Sequence, residues 1–580
     1  MSARGRVALL VLLAALAAAL ALPGSAFAHA VLTGATPQAT GTVNAAPAQV
    51  ALTYSEPVEP RFAIISVTDA GGHQQVAGSP RRSPANANQI VVPLQRIPQG
   101  WYLVYWRVIS ADGHPVRGAF TFAVGPSPGP PPQFAIPSLS ETAATPSLVA
   151  ARWVAFLAIM AALGLFVFRT IIARPLVRLV PGASLRGVTI ALVVALGVAL
   201  LAVPVYLALA TAQFALRPVT DLAALIPVMR ASAFGRALLD LEIVLALFAL
   251  AALVCVAVDR PARAVRSSAE LLATGGALLA GASMMLVPGL SGHPSQTSPR
   301  GLYLSLDWLH LTAGSIWIGG LIGLLVLWWR VGRERRVAAL GRVVPRFSRV
   351  AFGSVMLLLA SGTVVSILRL PTLGSLWETT YGIAILVKVG LLAAAMALAG
   401  VNLARTRPRL VAAAARKDEA LGAGAARLLR RLVTGEVAIV VGIILAASVL
   451  SSVPPPAKAL ADVGAVSANV GPGAVSRVVT SGPYRITLGI APNRVALAND
   501  FRLAITRDGR PVTGASVVAG FAMLDMEMGQ QSYTLPEREP GVYGRSAPAL
   551  VMVGHWGVSF DITAPGAEAF RVTFVDKAEG

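Results

Sequence analysis

The side chains able to hold a transition metal are few. Six histidines are present, His29, His73, His114, His293, His310 and His555, and a single cysteine, Cys255, lies inside an apolar run. One cysteine allows neither an internal disulfide nor a thiolate cluster, so any metal would be held by His, Met and carboxylate. His29 follows Ala26-Phe27-Ala28, an A-x-A sequence closing a secretory signal whose basic start is Arg4 and Arg6 and whose apolar stretch is Val7 to Leu22. Cleavage after Ala28 predicts His29 as the mature N-terminus; the alternative is an uncleaved anchor helix. An N-terminal histidine offers an amine and an imidazole in one chelate, and copper(II), which heads the divalent affinity series, prefers such tetragonal N and O donors. Asp112-Gly113-His114-Pro115 adds two more donors: Asp112 and His114 share a side of an extended segment, and Pro115 holds His114 in extended geometry. Alone the tetrapeptide reads as a polar turn closing a hairpin; joined to His29 it completes a four-donor copper(II) plane.

Two further groups have thioether and imidazole donors suited to copper(I). Asp307 and His310 lie three apart, on one face of an apolar helix near its outer end; His293 precedes them in a loop, and Met284 and Met285 lie towards the outer end of the preceding apolar stretch. The expectation is an outer-side copper(I) entry site of His293, His310 and one or both methionines, with Asp307 orienting a histidine. The alternative is that the methionines pack and Asp307 and His310 bond each other. Asp240, Glu242, Lys388 and Glu436 are weaker candidates that pair internally or snorkel, and Cys255 reads as packing. Towards the C-terminus, Met523, Met526 and Met528, with His555 beyond, form either a second copper(I) group or a core packed by Trp556. His73, in Ala70-Gly71-Gly72-His73, reads as an exposed turn residue.

These groups are distributed over three kinds of sequence. Of 580 residues 55% are hydrophobic and only 13% charged, so much of the chain belongs in lipid. Residues 29–125 alternate in short runs such as Gln49 to Tyr54 and Trp101 to Val108, predicting a Greek-key β-sandwich or barrel. A proline-rich linker occupies 126–147. Within 148–452, eight apolar stretches, near 148–168, 187–212, 237–258, 269–290, 302–329, 350–370, 381–401 and 432–452, are each long enough to cross a bilayer and predict an eight-helix transmembrane bundle. Pro204 and Pro288 fall inside the second and fourth. After a linker at 453–474, residues 475–580 return to alternation and predict an immunoglobulin-like β-sandwich. The formal charge of +21 lies mostly in the odd-numbered connections, for example Arg169, Arg174, Arg178 and Arg186. That excludes a nucleic-acid reading and, by the positive-inside rule, makes the odd connections cytoplasmic and both β-domains external. The chain is thus expected in a bacterial cytoplasmic (inner) membrane, with both soluble domains on the periplasmic or extracellular side.

His29-Ala30-Val31-Leu32, Tyr54-Ser55-Glu56-Pro57-Val58 and Ser110 to Gly118 closely resemble the CopC copper-resistance proteins over nearly all of 29–125. The resemblance implies that His29, Asp112 and His114 are copper(II) ligands and Glu56 a candidate neighbour. Residues 29–125 contain no methionine, so the Met-rich copper(I) loop of some CopC proteins is missing. Ser291-Gly292-His293-Pro294 and Trp308 to Leu321 resemble the CopD membrane family over roughly 148–452, and Gly319 and Gly323 form a small-xxx-small face. The C-terminal segment looks like a YtkA-like outer domain. A CopC/CopD fusion implies copper binding outside and movement across the inner membrane, with uptake the expected direction, in copper homeostasis and resistance. Its expected partners are copper ions, the lipid bilayer and other outer-side copper carriers. No phosphate-binding loop or phosphorylatable aspartate motif is found, so ATP-driven pumping is not expected. An oxidative copper enzyme is the alternative from another class, but Asp112 would fill the position such chemistry leaves open, and no enzyme activity is expected. A delivery or sensing protein without transport is a further alternative, and a haem carrier would need axial ligands within the spans, where His310 is the one histidine.

Overall fold

The computed structural model describes residues 30–128, 132, 134 and 145–579, apart from 31, 39–41, 110–114, 232, 292–298, 371–372, 374, 379, 452–465, 496, 525–530 and 552–553. The chain forms two compact units, one holding the apolar helices and the other both β-domains.

The N-terminal domain is a sandwich of two sheets among the described residues. Strands β1 (Leu32–Thr36), β3 (Gln49–Tyr54), β6 (Gln89–Pro93) and β5 (Arg81–Arg82) form one, in that order. Strands β2 (Thr42–Val43), β8 (Pro115–Val124), β7 (Gly100–Ile109) and β4 (Ile64–Asp69) form the other. The alternation in the sequence turns Val50, Leu52 and Tyr54 of β3 and Tyr102, Val104, Trp106 and Val108 of β7 into one shared core. Tyr102 stacks on Phe122 across β7 and β8. The other face of β7 and β8 is covered too: Leu103, Tyr105 and Ala119 pack with Phe134, and the Ala119 N–H donates to the Val551 carbonyl of the C-terminal domain at 3.1 Å.

That C-terminal domain has two facing sheets. One runs β10 (Val475–Ser481), β11 (Tyr484–Ala491), β12 (Asn499–Arg507), β17 (Val542–Ala547), β16 (Glu537–Glu539), with β13 (Arg510–Pro511) on β12. The other runs β15 (Gln531–Thr534), β14 (Ser516–Met523), β18 (Gly554–Thr563), β19 (Phe570–Ala578), β9 (Val466–Val470). Phe501, Phe521, Phe560 and Phe574 lie in the core between them. Strand β9 falls inside the stretch read from sequence as linker. It pairs in parallel with β19, about a hundred residues downstream, a long-range partner that no local pattern announces.

Among the described residues eight helices are long and apolar enough to cross a membrane: α1 (Pro146–Ile172), α2 (Arg186–Ala215), α3 (Gly235–Val258), α4 (Ser268–Leu290), α5 (Arg300–Arg330), α6 (Arg333–Arg369), α7 (Tyr381–Arg416) and α8 (Glu419–Leu450). They match the eight apolar stretches, but α6, α7 and α8 run well past them, carrying arginine-rich segments as helix rather than loop. Leu201, Leu272 and Leu279 are each more than 70% exposed, a surface that lipid accommodates and water would not. The helices α1 and α5 approach closely. A Cβ on Gly164 would overlap the Ser315 carbonyl and one on Gly319 the backbone of Gly164, while Gly323 lies under the Phe168 ring. The small-residue face on α5 is thus a packing face against α1. Because its neighbour is backbone, which cannot rotate away, Gly319→Val is expected to destabilise the bundle by about 3 kcal/mol or more. Thermal unfolding of the purified chain in detergent measures this, and an unchanged midpoint would contradict the close approach.

Candidate metal sites

The termini of the strands decide what can meet at the N-terminal domain. Ala30 is fully buried, and β1 begins beside the end of β3, Leu32 opposite Tyr54. The Tyr54 ring meets Trp106 edge-on at 5.6 Å, and three residues later β7 ends with Ile109 opposite Pro115. The start of β1, the end of β3 with the Ser55-Glu56 segment after it, and the Ile109–Pro115 pair of β7 and β8 therefore lie at one end of the sandwich. Gly118 is needed there, because a Cβ would come within 2.6 Å of the Trp106 indole. His29, Asp112 and His114 lie outside the described residues; Glu56 is half-buried. Burial pushes the Tyr54 phenol well above its usual pKa, so it stays neutral at this end of the domain. His73 is exposed, with Nδ1 3.2 Å from Asp69 Oδ2 in a tight turn, the place expected from its sequence.

In the membrane unit the candidate residues face different neighbours. His310 Nδ1 lies 2.9 Å from Ser361 Oγ on α6. The single Ser361 hydroxyl proton is directed to the Leu357 carbonyl at 2.7 Å, so Nδ1–H donates to Ser361 and Nε2 keeps its lone pair. The partner orienting His310 is thus Ser361 rather than Asp307. Asp307 instead lies against α4, where a Cβ on Gly289 would come within 2.9 Å of its carboxylate, and it interacts electrostatically with Lys388 on α7. Lys388 also acts on His310. Met284 and Met285 are buried, and the Met285 sulfur lies 3.4 Å from Ser315 Oγ. His310 of α5 thus meets α6 through Ser361, while Met285 of α4 meets α5 through Ser315. Among the described residues no three His, Cys, Asp or Glu side chains come together as a metal cluster. His293 lies outside them.

In the C-terminal domain Met523 is a core residue, opposite Trp556 in the β14–β18 ladder. In this register the side chain at 523 shares the inner face with Trp556 and packs. Met526 and Met528 lie outside the described residues, and His555 is exposed on β18. Sequence reasoning missed Asp576. It is fully buried and accepts from Asn493 Nδ2 at 2.9 Å, while its Oδ2 has no donor among the described residues. Burial raises its pKa to about 6, against the opposing pull of Asn493, the Lys577 amide and the His555 charge. A folded-state pKa above the unfolded one means that folding binds a proton, so stability is greatest below about pH 4 and is lost as pH rises through about 6. Asp576→Asn is expected to flatten this dependence and to stabilise the domain at pH 8 by about 1–2 kcal/mol, allowing for screening. Melting midpoints at pH 5 and pH 8 measure it, and parallel profiles for the two proteins would count against it.

Comparison with known proteins fits these domains. The CopC domain family model matches residues 32–125, and the Copper resistance protein D (CopD) family model matches residues 341–450, from within α6 to the end of α8. Copper transport protein CutJ of Bacillus subtilis (strain 168) is 26% identical over 542 residues, covering 93% of this chain and 93% of that protein. Protein YobA of Escherichia coli (strain K12) is 37% identical over 113 residues, 19% of this chain and 90% of that protein. Copper resistance protein C of Escherichia coli is 34% identical over 107 residues, 17% of this chain and 84% of that protein. The chain belongs to the CopC/CopD copper-resistance family, as a multi-pass membrane protein that joins both domains in one polypeptide.

Proposed function

We propose that the chain captures copper(II) on the outer face of the cytoplasmic membrane and passes copper to its helical core for uptake. Its copper is cargo. The ligands are the His29 amine and imidazole, Asp112 and His114, with Glu56 beside them. The observation that carries this reading is the convergence at one end of the sandwich: Leu32 opposite Tyr54, Tyr54 against Trp106, and Ile109 opposite Pro115. The arginine-rich odd connections support an external position for this end. Within the core, His310 presents Nε2 as a free donor atom, suited to a copper(I) step, with His293 preceding α5 and Met284 and Met285 in α4. Met526, Met528 and His555 form a second candidate copper(I) group, where outer-side copper carriers would dock. Cellular copper content with and without the chain tests the reading. Lower copper in its absence is the expected result. Higher copper in its absence would mean export, no change would mean delivery or sensing, and peroxide-dependent oxidation by the purified chain would mean an enzyme.

A further inference from the structure

Glu436, in the lipid-crossing part of α8, is only 3% exposed. Its Oε1 accepts a 2.6 Å hydrogen bond from Asn402 Nδ2. Asn402 opens a π turn, Asn402–Thr406, inside α7, and this turn packs on α8. Such turns are frequent at functional sites because they widen the helix and release backbone groups. Two more polar atoms of the same turn, Asn402 Oδ1 and Thr406 Oγ1, are buried with no hydrogen-bond partner among the described residues, and Thr406 is fully buried. Charged groups on the helices packed against α8 are Arg152 and Arg169 of α1, Arg300, Asp307, His310 and Arg330 of α5, and Lys388, Arg405, Arg407, Arg409 and Arg416 of α7; among the described residues none is ion-paired with Glu436.

A carboxylate held in lipid without a cation is expensive, and it becomes cheap when it takes a proton. Asn402 can serve both states. Its amide donates to the carboxylate, and turned over, its Oδ1 accepts from the carboxylic acid. The orphaned Asn402 Oδ1 is the acceptor that a protonated Glu436 requires, and Thr406 Oγ1 continues the polar path one turn along α7. A structural ion pair would show a cation at Glu436, and a packing residue would not leave two polar atoms unmatched beside it.

We propose that Glu436, Asn402 and Thr406 form a proton-binding site of the membrane core. The site deepens the transport reading above, on which its coupling role rests: a proton gradient acting through Glu436 drives the copper movement. The test uses the full-length chain in membranes and dicyclohexylcarbodiimide, an apolar reagent that adds to a protonated carboxyl. Mass spectrometry is expected to find the adduct on Glu436, falling about tenfold per pH unit once the carboxyl ionises. Glu436→Gln carries none at this position. The labelling arm needs no variant, so a misfolded mutant cannot obscure it. No adduct at any pH, or an adduct indifferent to pH, would overturn the site. In proteoliposomes loaded by an imposed pH gradient and supplied with copper ions, wild-type copper movement is expected to respond to the gradient and that of Glu436→Gln to lose the response. Equal responses would overturn the coupling. Normal labelling with no copper movement in either protein would instead remove the transport reading and leave the proton site standing.

Discussion

One residue added before His29 is expected to weaken copper(II) binding by the full-length protein about a hundredfold or more. The addition converts the α-amine into an amide, which offers copper no lone pair near neutral pH, and moves the imidazole off the chain terminus. Two of the four proposed donors are affected by one peptide bond. His114→Ala is expected to lose affinity on the same scale, because loss of a ligand exceeds the ten- to hundredfold effect typical of its supporting partners. His73→Ala is expected to change nothing, since His73 is exposed and engaged with Asp69 in its own turn. Acid must release the metal as the amine and imidazoles protonate, with ordinary values of about 8 and 6.5. Competition against a chelator of known affinity, with the protein in detergent, measures all of these. Equal affinity with the terminus blocked would remove the N-terminal chelate from the account.

The parts of this structure that were legible in the sequence are those that strict physical constraints write locally. A helix crossing lipid needs some twenty apolar residues, so the eight spans could be counted directly. Alternation with period two gave the sandwiches for the same reason. Gly319 and Gly323 announced a close helix contact, although not that Gly164 would be its partner. What could not be read is pairing at a distance. His310 and Ser361 are 51 positions apart, and Asn402 and Glu436 are 34 apart. Strand β9 was hidden because its short run, Val466–Val470, joins an edge through a partner far along the chain. Methionine adds a chemical ambiguity: it suits both a copper(I) shell and a core, and at position 523 only the register opposite Trp556 decides. The arginines of the odd connections were legible as a sign of orientation, yet several are not free surface charges.

Those arginines give the second large effect: Asp259→Asn is expected to destabilise the membrane unit by about 3–5 kcal/mol. Asp259 Oδ2 accepts from Arg169 Nη1 at 2.9 Å, and its Oδ1 from Arg174 Nε at 2.8 Å. Arg174 reaches on to Glu270 at 3.2 Å. Glu270 in turn accepts from the Arg260 and Ser267 amides, both at 2.8 Å, which closes the loop between α3 and α4 onto the end of α1. All four side chains are less than 10% exposed, so two cations are balanced by two anions with little help from solvent. Removing one anion leaves a net positive charge in a buried site, which is where the loss arises, rather than in the attraction itself. A charge-balanced double variant, Asp259→Asn with Arg169→Met, is therefore expected to recover more than half of the lost stability. Residual folded protein after heating in detergent, compared across the single and double variants, reads out both effects. A double variant no better than Asp259→Asn alone would mean that geometry, and not the stranded charge, holds this corner together.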